Sequence, residues 1–111
     1  MLTHSNHFKA ERFKSTDISA GLAPDTYLRA NRLYRLMKEH YGNITVEVMQ
    51  QLMSDHSNHP NSICRHRDEN ALFPMGRIIK TIVSSINVPE EKKMYVALGN
   101  PCQYEYVEYR L

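Results

Sequence analysis

Cysteine is scarce: the chain has only Cys64 and Cys102, far apart and forming no CxxC pair. Two are too few for a disulfide-dense secreted scaffold, so they read as free thiols in a reducing compartment. Long apolar runs are also missing. Nothing approaches the ~20 residues that a membrane span needs, and the opening Met-Leu-Thr-His-Ser-Asn is not a signal peptide. A soluble, cytoplasmic protein is the expectation. Charge of one sign is lacking as well, with 14 Lys and Arg against 12 Asp and Glu and a formal net charge of +2. The basic residues are scattered rather than interleaved with aromatics in a patch, which argues against a nucleic-acid partner. No internal repeat or low-complexity segment is present, and 111 residues make one domain, 1–111.

What the chain does have is concentrated in Ser54 to His66, Ser-Asp-His-Ser-Asn-His-Pro-Asn-Ser-Ile-Cys-Arg-His. Packing alone explains such a density of hydrogen-bonding and nucleophilic groups poorly, because each polar group needs a partner once buried. A functional surface or site is the better reading.

Around this segment the periodicities sketch an α+β domain. Leu2 to Phe8 alternates and reads as a strand, and Ser15 to Pro24 reads as a loop. Asp25 is placed to cap a helix whose apolar face is Tyr27, Ala30, Leu33, Tyr34, Met37 and Tyr41, ended by Gly42. Arg29, Arg32 and Arg35 form a basic stripe beside that face, read as solvated rather than as an anion site. Thr45 caps a second helix that buries Val48, Met49, Leu52 and Met53, giving a helical hairpin across Gly42 and Asn43. Ile78 to Val88, Lys93 to Leu98 and Gln103 to Leu111 read as three strands. Reversals at Asn87-Val-Pro-Glu-Glu and Gly99-Asn-Pro-Cys make them an antiparallel meander, with the hairpin over one face.

Two chemistries suggest themselves from residue types alone. His56, His59, Cys64 and His66 are ligands of the kind zinc uses, so a small zinc-binding module is one reading. Cys64 beside Arg65 and His66 has the surroundings of an activated thiol, although a small buried hydrophobe is the favoured reading. Cys102 has no base near it in sequence, and Ser57 and Ser62 lack a nucleophile elbow.

Three segments carry a more specific resemblance. Thr-His-Ser-Asn-His-Phe near the start, Asp55-His56 with Pro60-Asn-Ser-Ile-Cys-Arg-His66, and Gly99-Asn-Pro-Cys-Gln-Tyr-Glu-Tyr occur in that order over essentially the whole chain. Together they resemble the C-terminal part of the isopenicillin N acyltransferase (acyl-coenzyme A:6-aminopenicillanate acyltransferase) family. The resemblance implies a relative of the N-terminal nucleophile hydrolases, in which antiparallel sheets stack between helical layers. An exposed N-terminal Cys there attacks an amide or acyl donor with its own α-amine as base. On that pattern Asn6 is the oxyanion-hole amide and Arg65 the site arginine. His7, Asp55, His56 and His66 contact substrate or hold the loop. No metal or other cofactor is called for, and the substrate is a small acyl amide or acyl-coenzyme A.

The chain departs from the pattern in one respect. The segment expected to carry the Cys nucleophile lies upstream of Leu2 and is absent from the sequence, so the chain alone is expected to be inactive, a truncated acyltransferase-like piece. Half of a sandwich leaves sheet edges or apolar faces uncovered. Self-association, or pairing with a Cys-bearing N-terminal half, is the expected consequence.

Overall fold

A computed structural model describes residues 1–111. Four helices, α1 (Glu11–Lys14), α2 (Ser19–Leu22), α3 (Asp25–Glu39) and α4 (Val46–Met53), precede three strands, β1 (Ser84–Val88), β2 (Lys93–Ala97) and β3 (Val107–Arg110). The sheet is an antiparallel meander in the order β1-β2-β3, with Ser84 opposite Ala97 and Val96 opposite Val107. The architecture is therefore α+β, as the periodicities predict. α3 packs on α4, and α4 packs on β1.

Thr45 caps α4 as expected, its Oγ1 accepting the Val48 amide at 3.2 Å. Leu52 is buried beneath this helix and Ile86 in β1. Register puts Ser84, Ile86, Tyr95 and Ala97 on one sheet face, and the buried members of that set mark it as the covered side. Asn87, Met94, Val96, Val107 and Tyr109 share the other face, where Met94, Val107 and Tyr109 are exposed.

Several expectations change. Asp25 does not cap α3. It is the helix's first residue, Pro24 occupies the cap position without a side-chain bond, and the carboxylate points to arginines instead. The apolar face is narrower than the spacing suggested, since Tyr27, Tyr34 and Tyr41 are exposed while Ala30 and Leu36 are buried. No strand forms over 2–8. With no neighbouring strand to bond, the Asn6 and His7 amides go to Thr26 Oγ1 at 2.7 and 3.1 Å, and the Phe8 amide goes to Asp17 at 2.6 Å. The 15–24 loop contains the short α2. The last three strands are shorter than read. Residues 78–83 have no ladder partner, and Gln103 and Tyr104 fold into a turn on the Asn100 carbonyl before β3 begins.

Only 13 of the 111 residues are buried, and seven of these are polar or charged. Hydrogen bonds and ion pairs rather than a large apolar core therefore tie the N-terminal segment and the 54–66 loop to α3.

Candidate functional site

The loop after α4 is built from its own backbone. The Cys64 amide donates to the Asp55 carbonyl at 3.1 Å and the His66 amide to the Pro60 carbonyl at 2.9 Å, closing the segment on itself. Arg32 anchors its base with a two-point bond to Asp55, 3.1 Å from Nε and 2.8 Å from Nη2. That guanidinium, helped by the Ser57 amide and opposed by burial, holds the Asp55 carboxyl below its usual range. Asp55 thus fixes the loop, and Arg32 is not part of a free basic stripe.

Arg65 is held from every side. Its amide donates to Thr81 Oγ1 and its carbonyl accepts the Thr81 amide, both at 2.9 Å, while buried Asn100 donates to the same carbonyl at 2.7 Å. Nη1 donates to Asp25 at 2.9 Å and Nη2 to Asn61 at 3.0 Å. Its Nε is buried with no acceptor.

Asp25 also accepts from Arg29 Nε at 2.8 Å, and Arg29 Nη2 in turn donates to Asn6 Oδ1 at 2.6 Å. The structure thus links Asn6 and Arg65, the two residues singled out by the sequence resemblance, through a hydrogen-bonded relay, Asn6–Arg29–Asp25–Arg65, in which one carboxylate sits between two guanidinium groups. Anchoring Oδ1 leaves the Asn6 amide nitrogen free at an exposed position. The cleft between α4 and the Pro101–Tyr106 segment and the cleft beside His7 both leave out Asn6 and Arg65.

His7 sits elsewhere. It is buried, stacks on Tyr27 with ring centroids 4.0 Å apart, and its Nδ1 lies 3.1 Å from Thr26 Oγ1. It anchors the N-terminal segment to the first turn of α3.

His56 and His66 form a separate cluster with the cysteines. Their Nε2 atoms are 3.1 Å apart, and His66 Nε2 is 3.7 Å from Cys64 Sγ and 3.4 Å from Cys102 Sγ. Sequence adjacency alone did not place an imidazole on Cys64, and Cys102 was read as having no base. The fold supplies His66 to both. His59 lies to one side, its ring centroid 5.5 Å from that of His56, so the ligand set read from the sequence changes, with Cys102 taking the place of His59. Burial and the neighbouring His56 and His59 push the His66 pKa down. Desolvation and contact with Cys64 push the Cys102 thiol up. A thiol pushed in that direction is a poor nucleophile, which weighs against Cys102 in that role.

The roles of Asp25, Arg29 and Cys102 differ from those read in the sequence, and Asn100 was given none. The four-residue spacing of Asp25 and Arg29 was the available signal for one pair, whereas nothing local marks Asn100 or Cys102.

The chain is acyltransferase-like, for residues 1–103 match the family model of acyl-coenzyme A:6-aminopenicillanic acid acyl-transferase. The chain belongs to that family. No curated protein matches it. No helix is long and apolar enough to cross a membrane.

Proposed function

We propose that this chain supplies the carbonyl-polarising side of an acyl-transfer or amide-hydrolysis centre, as an N-terminal nucleophile hydrolase relative. The relay joining Asn6 to Arg65 is the observation that carries the reading. Asn6 Nδ2 donates to the oxyanion that develops on the substrate carbonyl, and Arg65, locked by Asp25, orients the nucleophile or substrate. The nucleophile is a Cys thiolate carried outside these 111 residues, on further polypeptide of the same chain or on a partner. Having given its proton to its own α-amine, it attacks the carbonyl of a small acyl amide or acyl-coenzyme A, and that proton passes to the leaving amine or thiol. Water or an acceptor amine then receives the acyl group. The 111 residues alone are inactive on this reading.

The surface supports a companion. The outer sheet face carries Met94, Val107 and Tyr109, and the 78–83 stretch, outside the sheet, exposes Ile78, Ile82 and Val83. A further sheet or strand from a Cys-bearing segment, or failing that a second copy of this chain, covers them. Reduced Cys64 and Cys102 fit a cytoplasmic location.

Hydrolysis and acyl transfer on a panel of short acyl amides test the proposal, with the chain alone and co-expressed with a Cys-bearing N-terminal segment from the same genome. Activity is expected only in the combination, with Asn6→Ala lowering it by about 10²–10³. Full activity of the Asn6→Ala or Arg65→Ala combination overturns the assigned roles. Silence of a folded combination overturns the reaction.

A further inference from the structure

A second site stands apart from the acyl-transfer relay. The ligand atoms of His56, Cys64, His66 and Cys102 all lie within 4.8 Å of one another. Tetrahedral zinc, with Zn–S near 2.3 Å and Zn–N near 2.0–2.1 Å, sets the separations its ligands must have: about 3.8 Å between sulfurs, about 3.6 Å from sulfur to nitrogen and about 3.3 Å between nitrogens. The chain shows 3.6 Å between Cys64 and Cys102 Sγ, 3.7 and 3.4 Å from those sulfurs to His66 Nε2, and 3.1 Å from His56 Nε2 to His66 Nε2. Four of the six separations thus come close to the edges of a metal tetrahedron, and the two from His56 Nε2 to the sulfurs lie within 4.8 Å.

The surroundings point the same way. Asn100, 3 % exposed, aims its amide at Cys64 Sγ at 3.5 Å while also bonding the Arg65 carbonyl at 2.7 Å. A buried amide donating to sulfur favours the thiolate, the form a metal needs, and outer groups of this kind orient metal ligands.

We propose that His56, Cys64, His66 and Cys102 bind a thiophilic divalent cation of the zinc class at a closed, structural site. Binding replaces the two thiol protons, which leave to solvent, and involves no change of oxidation state. With four protein ligands no position stays open for substrate, so the metal acts as a staple. It joins the 55–66 loop to the turn after β2. It also brackets Arg65, whose neighbours on both sides are ligands, so the ion holds the backbone that presents the relay's guanidinium.

The test is anaerobic titration of the reduced full chain with cobalt(II), followed by displacement with zinc. Expected are an equimolar end point, the visible bands of tetrahedral cobalt, thiolate-to-cobalt charge transfer in the near ultraviolet, and bleaching by zinc. Cys102→Ser and His56→Ala, both at exposed positions, should weaken binding by at least ~100-fold, more than the loss of an outer-shell group, whereas His59→Ala should bind as the parent does. An octahedral spectrum, absent charge transfer, or parent-like affinity of Cys102→Ser overturns the proposal. So does a Cys64–Cys102 disulfide that persists under reductant. The spectrum of the unsubstituted chain decides the matter even where a variant fails to fold.

Discussion

Arg65 and Asp25 are 40 positions apart in sequence, yet Nη1 of the one donates to Oδ2 of the other at 2.9 Å, with both side chains largely buried. The pair joins the 54–66 loop to the start of α3. Without Asp25, Arg65 is a buried cation left with Asn61 as its remaining side-chain partner. Asp25→Ala should therefore cost about 3 kcal/mol, read as a lowered urea midpoint. Asp25→Ala combined with Arg65→Met should cost less than Asp25→Ala alone, because the Arg65 charge is then removed and only Arg29 loses its carboxylate partner.

Thr26 is fully buried, and its hydroxyl accepts the Asn6 and His7 amides, donates to Ser5 Oγ and lies 3.1 Å from His7 Nδ1. Thr26→Val keeps the shape and removes every one of these bonds. A loss of roughly 2 kcal/mol is expected, with faster hydrogen exchange at the Asn6 and His7 amides as its local signature.

Asp17 binds the N-terminal segment to α2. The Ser19 hydroxyl and amide, then the Phe8 amide, hold its carboxyl below the ordinary value. A depressed folded pKa means that this contribution is complete above the unfolded value of about 3.9 and fades as pH falls through the folded one. An acid titration followed at the Phe8 amide by NMR should show a transition below that of an ordinary aspartate, and Asp17→Asn should abolish it.

Gly99 closes the turn after β2 at φ 131°, and a Cβ there would sit 2.5 Å from the Tyr104 ring. Gly99→Ala meets both the conformational penalty and the ring, so a loss above ~1 kcal/mol is expected in thermal unfolding. Because Asn100 and Cys102 follow directly, the same variant should weaken cobalt binding.

The sequence carries those features whose causes are local. The Thr45 cap, the apolar spacing of α4, the turn signals and the three-strand meander all emerge from neighbours in the chain. Asn6 and Arg65 emerge only through the family resemblance, since spacing gives an isolated Asn and an isolated Arg no role. What the sequence conceals is long-range. Asp25 has the residue type of a cap but answers to Arg65, and the Arg29 and Arg32 stripe looks solvated until Asn6 and Asp55 come against it. Cys102 reaches His66 only through the sheet, which no window of residues reveals. The strand read at 2–8 fails for the same reason, as a ladder needs a neighbour and the chain offers Thr26 and Asp17 instead.

An interior with six apolar and seven polar residues has a calorimetric consequence. Exposing apolar surface raises the heat capacity on unfolding and exposing polar surface lowers it. This chain should therefore fall below the usual ~12–15 cal/mol/K per residue, and its stability should vary gently with temperature. A companion that covers the outer sheet face would add apolar burial, bend the curve more steeply, and move the complex toward cold sensitivity.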